Sequence, residues 1–313
     1  MITFYTYDKQ IELLLQKGLS IPDPAHAKAV LAHIGYYELV NGYKSPFKEA
    51  GRNGRFREGV DFDDLVALYK LDENLRELFL KYILRIEIHM RSLLSYAFAQ
   101  KHGASQEDYC DPESYTHDAE LAGEVRRLTS ELEGLAKRAS GAPDYIHHYR
   151  MHYGDVPLWV LFKTTSLGTL NRFFDCCDPT VQKRVTDTFP HLRRETLARM
   201  LDVMNKFRNV CAHNDCLYSY RAPTGIPPMP ILRNFNIPAF EKENGGNYEG
   251  NDLFAMLVIF SYLLTDADFE KCLASLKSIL DHFFSVCKAL PPTVLYRCMG
   301  FPLDGDLTPA DFR

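Results

Sequence analysis

No stretch of this sequence stays apolar for the length of a membrane span. The longest run, Leu253–Leu264 (LFAMLVIFSYLL), has about twelve residues where roughly twenty are needed, so it is expected to form a buried helix, with no membrane partner. Alternation with period two is missing over any useful length, which excludes half-buried strands. Tryptophan is nearly absent: the single one, Trp159, lies in the apolar run VPLWVLF and is expected in the core. There is no excess of positive charge either. Thirty-six Lys and Arg stand against 41 Asp and Glu, for a net charge of −5 and a pI near 6.1. A chain with that balance would bind nucleic acid through a local patch rather than a general field. The eight cysteines follow no zinc-ribbon spacing, and adjacent Cys176-Cys177 is a poor start for a disulfide framework. The opening MITFYTYDKQ lacks the basic start and apolar run of a secretory signal. Free thiols in a reducing, cytoplasmic setting are expected.

What is present is helical periodicity. Asp8–Lys17 places Ile11, Leu14 and Leu15 on one face, and Pro22-Asp23-Pro24 opens a second helix. Gly35–Phe47 is aromatic and glycine-punctuated and predicts a packed turn. From Phe62 to about Gln100 there is no Pro or Gly, and apolar residues recur every three or four positions, predicting one long helix or two consecutive ones. Further helices are predicted over 115–140, 143–153, 157–175, 179–189, 192–213, 253–264 and 269–288. Pro223, Pro227, Pro228, Pro230 and Pro238 mark the clearest linker-like stretch, and 244–251 is a glycine-containing loop. The fold class is all-α.

On a helical wheel of 192–213, Leu197, Met200, Leu201, Val203, Met204, Phe207, Val210 and Cys211 form a broad apolar arc. Asp202, Asn205, Lys206, Asn209 and His213 lie opposite. Arg208 falls on the wrong side, projecting between Leu201 and Met204. A guanidinium cannot shed its proton there, so it needs a carboxylate, a backbone acceptor or a phosphate. Two readings stand: an ion pair, for which Glu87 is the candidate, or a phosphate grip. RNA cleavage without a metal needs a base near neutral pH, which His213 supplies, and a fixed cation at the phosphate, which Arg208 supplies. Residues five apart on a helix diverge by about 140°. Either the helix loosens near Cys211, or two copies meet across a dimer and complete each other's site; the dimer is the favoured reading.

The segment Arg208-Asn-Val-Cys-Ala-His213 resembles the Arg-x-x-x-x-His signature of HEPN-domain ribonucleases. The chain as a whole resembles the Abi-like family of abortive-infection proteins. The resemblance rests on Tyr36–Tyr43 through Phe47, on Leu68–Arg76 running into Arg85-Ile86-Glu87 and Arg91, on His152–Val160 through Gly168-Thr169-Leu170, on Phe207–His213 with Leu217-Tyr218, and on Met299-Gly300-Phe301-Pro302. It departs at Cys216, preceded by Asp215, where a basic residue is common. The resemblance implies a HEPN-like helical bundle at 59–221, after an N-terminal helical and aromatic-turn region at 1–58. A Pro/Gly-rich linker at 222–252 and C-terminal helices packing on the core at 253–313 complete the chain. It also implies an RNA substrate, anti-phage defence and a catalytic pair of Arg208 and His213 with Asn209 orienting one of them. No metal or cofactor is expected, and a companion antitoxin or small RNA is a candidate partner.

Other candidates carry bland alternatives. Arg85, Glu87, His89 and Arg91 share one helix, where spacing pairs Glu87 with Arg91 and sets Arg85 beside His89. The functional alternative sets this helix beside Arg208, with Glu87 orienting it and Arg85, Arg91 and Lys206 supporting the site or touching RNA. His147, His148 and His152 show no third ligand or intervening Glu for zinc. Tyr36, Tyr37, Tyr43 and Phe47 either pack on the bundle or stack bases, and Arg52, Arg55 and Arg57 form a solvated loop or touch phosphate. Competing functions are a non-catalytic RNA-binding scaffold and a protein-interaction module with no RNA role.

Overall fold

Local chemistry starts and stops the helices largely where the sequence signals them. In the computed structural model, residues 3–49, 51, 54–138, 141–235, 249–303 and 307–312 are described. Helix α1 (Tyr7–Gln16) is capped by Thr6, and α2 (Pro24–Ile34) by Asp23, whose carboxylate accepts from the Ala25 and His26 amides at 3.0 Å. The aromatic segment is a turn, as expected: a π-type turn (Tyr37–Asn41) and a 3-10 turn (Ser45–Phe47) bury Leu39, Val40, Tyr43 and Phe47. Tyr37 faces outward.

The uninterrupted stretch forms one helix, α3 (Phe62–His102), of 41 residues. A capping box between Asp61 and Asp64 opens it, and Gly103, at φ 98°, closes it. At about 60 Å, it is the spine on which much of the rest packs. Then come α4 (Gln106–Cys110), α5 (Ala122–Lys137), α6 (Asp144–Tyr153), α7 (Leu158–Leu161), α8 (Leu167–Cys176), α9 (Pro179–Thr186), α10 (Arg194–Ala212), α11 (Leu253–Leu263), α12 (Asp266–Val286) and α13 (Pro292–Met299). α10 and α12 pack on α3, while α8 lies against both α10 and α3. The fold is all-α: among the described residues no strand forms, only isolated bridges such as Ser20 with Asp61.

Two helices are shorter than the periodicity predicts. Residues 115–121 are not helical because Tyr115 turns into the core, its hydroxyl donating 2.7 Å to the Tyr109 carbonyl, while the Thr116 amide bonds the Cys176 carbonyl. The helix predicted over 157–175 breaks at Thr165. Arg91 Nη2 takes the Thr165 carbonyl at 2.8 Å, and Ser166 caps the new helix through the Thr169 amide. The Pro-rich stretch, in its described part, is pinned by Ala222 N–H to Asn251 O (2.7 Å) and buries Ile226, Ile231 and Leu232. Residues 236–248, including most of the glycine-containing loop, lie outside the described residues, as does Arg52. α11 is buried nearly all round, and no described helix is long and apolar enough to cross a membrane.

Trp159 corrects an expectation. It is 53% exposed, because α7 is a single turn whose Leu158, Val160 and Leu161 occupy the core side. As the sole tryptophan it should show water-like, red-shifted emission in the native protein, quenched by iodide nearly as well as in urea. A blue, iodide-protected emission would contradict this placement.

Candidate functional site

The spacing of apolar residues along α10 sets what its other side chains can do. All eight residues of the predicted apolar arc, Leu197 through Cys211, are buried. Arg208 is half-buried, and its Nε is sealed from solvent with no hydrogen-bond partner. Among the described residues it makes no ion pair. Glu87, the carboxylate proposed for it, pairs instead with Arg91 one turn along α3, and its Oε2 is buried without a partner. The ion-pair account of Arg208 through Glu87 is therefore corrected.

His213 follows the last helical residue as an exposed C-cap, its amide donating 2.9 Å to the Asn209 carbonyl. Asn214 adopts a left-handed backbone (φ 61°), and the Asp215 amide reaches back to the Val210 carbonyl at 3.0 Å. This is a Schellman-type stop, with asparagine in the position glycine commonly takes. The helix does not loosen at Cys211. No hydrogen bond joins Arg208 and His213 within one chain, and they are separated by about 7.5 Å of helix rise. Asn209 is exposed, and no side-chain hydrogen bond joins it to either.

The end of α10 is held by a network that sequence reasoning passed over. Asp72, on α3, is fully buried. Its Oδ2 accepts from the Tyr43 hydroxyl (2.8 Å), Arg76 Nη1 (2.6 Å) and the Leu217 amide (2.9 Å), and its Oδ1 from the Tyr218 amide (2.6 Å). Arg76 also donates 3.4 Å to the Asp215 carbonyl. Tyr43 stacks on Tyr218 and meets Tyr69 edge-on, with centroids 5.9 and 5.4 Å apart. Burial pushes the Asp72 carboxyl above its ordinary value, opposed by these four donors. The signal was available: Asp72 and Arg76 fall on the same arc of α3 as Leu68, Leu75 and Phe79, the anomaly that singled out Arg208.

The other candidates disperse. Arg85 pairs with Asp268 of α12 and covers the Tyr82 ring at 5.3 Å, rather than lying with His89. The His89 ring packs 5.7 Å from that of Phe189, and its burial lowers its pKa. Glu87 and Arg91 do pair as spacing predicts, and both serve the α3–Thr165 junction. Lys206 pairs with Asp202 at 3.4 Å. Cys211 and Cys216 are pushed up to about 12 and 11, first by burial and then by Asp72, so both remain thiols rather than nucleophiles. Among the described residues no group of three or more His, Cys, Asp or Glu is placed to hold a metal.

The arrangement thus offers a half-buried guanidinium with a free Nε, and an exposed imidazole on the C-cap residue of the same helix. In comparisons with known proteins, a family model described as Abi-like protein matches residues 29–219, which contain Arg208, His213 and the whole Asp72 network. No curated protein and no solved structure matches the chain.

Proposed function

The chain belongs to the Abi-like protein family, and on that premise we propose that it is a metal-independent endoribonuclease of HEPN type acting in abortive-infection defence. Family membership itself points to abortive infection. The nuclease reading rests on one observation: Arg208 keeps a charge among apolar neighbours with no ion-pair partner among the described residues, one and a half turns before an exposed histidine.

The chemistry assigns each residue a step. His213 takes the 2′-hydroxyl proton, and the 2′-oxygen attacks the adjacent phosphorus. The 5′-oxygen leaves and takes a proton from water, the His213 imidazolium returning its own proton to solvent, so that the products are a 2′,3′-cyclic phosphate and a 5′-hydroxyl. Arg208 offsets charge gathering on the phosphoryl oxygens. Since the pair does not meet within one chain, the site is completed across a homodimer, each copy lending one residue.

Purified protein in EDTA should cut mixed RNA to products bearing cyclic phosphate ends. Arg208→Ala and His213→Ala should each slow cutting by about 10²- to 10⁴-fold. Activity that vanishes in EDTA and returns with a divalent cation would overturn the mechanism. The separation of the two residues within one chain also supports a second reading, an RNA-binding scaffold that does not cut. Retained RNA binding with no cleavage by any form would favour that scaffold.

A further inference from the structure

A polar cavity of about 360 Å³ lies between α8 and α10, upstream of the motif. On one wall α8 presents Asn171 and Asp175, one turn apart. Facing them, α10 presents Arg194, Glu195, Ala198, Arg199 and Asp202. The volume lies at the small end of ligand pockets, enough for one base with its phosphate rather than a length of chain.

The two walls have opposite needs. Asn171 Oδ1 is buried with no hydrogen-bond partner, a cost that a donor-bearing ligand would relieve. The Asp175 carboxylate has no ion pair or hydrogen bond among the described residues, although two arginines line the same cavity. Burial lifts it to about 6, with Arg194 and Arg199 opposing and Asp202 adding to the rise. Asp202 is already engaged, by Thr224 Oγ1 at 2.7 Å and Lys206 at 3.4 Å. Arg194 bonds Glu195 at 3.1 Å and Gln182 Oε1 at 3.5 Å, whereas Arg199 is exposed and makes no ion pair among the described residues. One wall therefore holds acceptors without donors, and the other carries Arg199, whose charge acts on Asp175 across the cavity but which makes no hydrogen bond or ion pair among the described residues.

We propose that this cavity is a base-selecting subsite that takes an unpaired guanine of a single-stranded RNA, with Asp175 and Asn171 reading the base and Arg199 and Arg194 holding its phosphate. Guanine sets N1–H beside its 2-amino group, two adjacent donors that one carboxylate accepts together. Adenine and cytosine set a ring acceptor beside their amino group, which an ionised carboxylate repels. Arginine forks suit the phosphate. Ala198, small and set between the arginines, leaves room for the ring. The subsite shares its polar strip with the proposed catalytic residue: Ala198, Asp202, Asn205, Asn209 and His213 follow at turn spacing. From Asp202 to His213 is about 16 Å along the axis, a span that neighbouring nucleotides of one strand can cover.

This inference rests on the RNA substrate of the preceding proposal, and the test separates the two. The full-length His213→Ala protein, which should bind without cutting, is titrated by fluorescence anisotropy with short labelled RNAs that differ at one position: guanine, inosine or adenine. The titration is run well above the titration point of Asp175. Guanine is expected to bind about tenfold more tightly than adenine, with inosine between because it lacks the 2-amino group. Adding Asp175→Asn should erase the guanine preference. Adding Arg199→Ala, at an exposed position that cannot unsettle the core, should weaken all three RNAs alike. Unlabelled GMP is run as a competitor: weak competition supports a subsite for RNA, and competition stronger than that of the guanine RNA itself would overturn it in favour of a free-nucleotide site. Equal affinity for the three RNAs, or a preference that survives Asp175→Asn, would also overturn it. Cleavage by the wild type without base preference would sink the subsite alone, and Asp175-dependent guanine binding without cleavage would sink the nuclease alone.

Discussion

Asp72→Ala is expected to remove about 3–5 kcal/mol of folding stability, because it strands a buried guanidinium and two backbone amides. The carboxylate is fully buried and satisfies Arg76, Tyr43 and the Leu217 and Tyr218 amides at once. Removing it leaves Arg76, itself only 3% exposed, without its ion-pair partner. Equilibrium urea unfolding checks this through the midpoint at an unchanged slope. Asp72→Asn keeps the volume but turns one oxygen into a donor aimed at other donors, so it should sit between wild type and alanine. The network also anchors the chain directly after His213, so Asp72→Asn should depress RNA cleavage more than its loss of folded protein accounts for. A loss below about 1 kcal/mol, an ordinary single hydrogen bond, would show that the network is not the clamp described.

Mixing two inactive variants should restore cutting. If Arg208 of one copy works with His213 of the other, an Arg208→Ala chain and a His213→Ala chain can form a mixed dimer. In that dimer one site lacks both residues and the other keeps both. Random re-pairing makes half of the dimers mixed, each with one good site of two, so activity should recover to about a quarter of wild type. That is a rise of at least 25-fold over either variant alone, whose residual rate is at most about 10⁻² of wild type by the expected loss of a base or an oxyanion partner. Co-expression or cycling through mild urea supplies the exchange. No recovery in a preparation whose mixed dimers are confirmed by differently tagged chains would place both residues of a site in one copy and overturn the shared site.

The charged residues on the apolar arcs of α10 and α3 show how far sequence reading reaches. Arg208 was legible because a permanent charge on an apolar arc is conspicuous on a helical wheel, and its half-buried, ion-pair-free state bears that out. Which acid would answer it was not legible: Glu87 was a reasonable candidate, yet it closes on Arg91 along the same helix. Asp72 and Arg76 were in plain view within a motif block, but were given no role of their own there. Their burial depends on Tyr43, 29 residues before Asp72, and on Tyr218, 146 residues after it. Trp159 was misplaced for the converse reason. An apolar run tells how much greasy surface a segment carries, not which member of a one-turn helix is left outside.

Local interactions, then, decided the helices themselves: caps such as Asp23, Asp61 and Ser166, the unbroken length of α3, and the apolar arc of α10 all depend on residues within about four positions. The all-α class follows from the same periodicities. Tertiary packing alone decided where charge is answered. It sent Arg85 to Asp268, tied Asp72 to the chain beyond His213, opened a polar cavity between α8 and α10, and left Arg208 without an ion pair among the described residues. The reason is physical: a helix forms from neighbours in sequence, but a buried charge is stabilised only by whatever group the fold carries to it, from any distance along the chain.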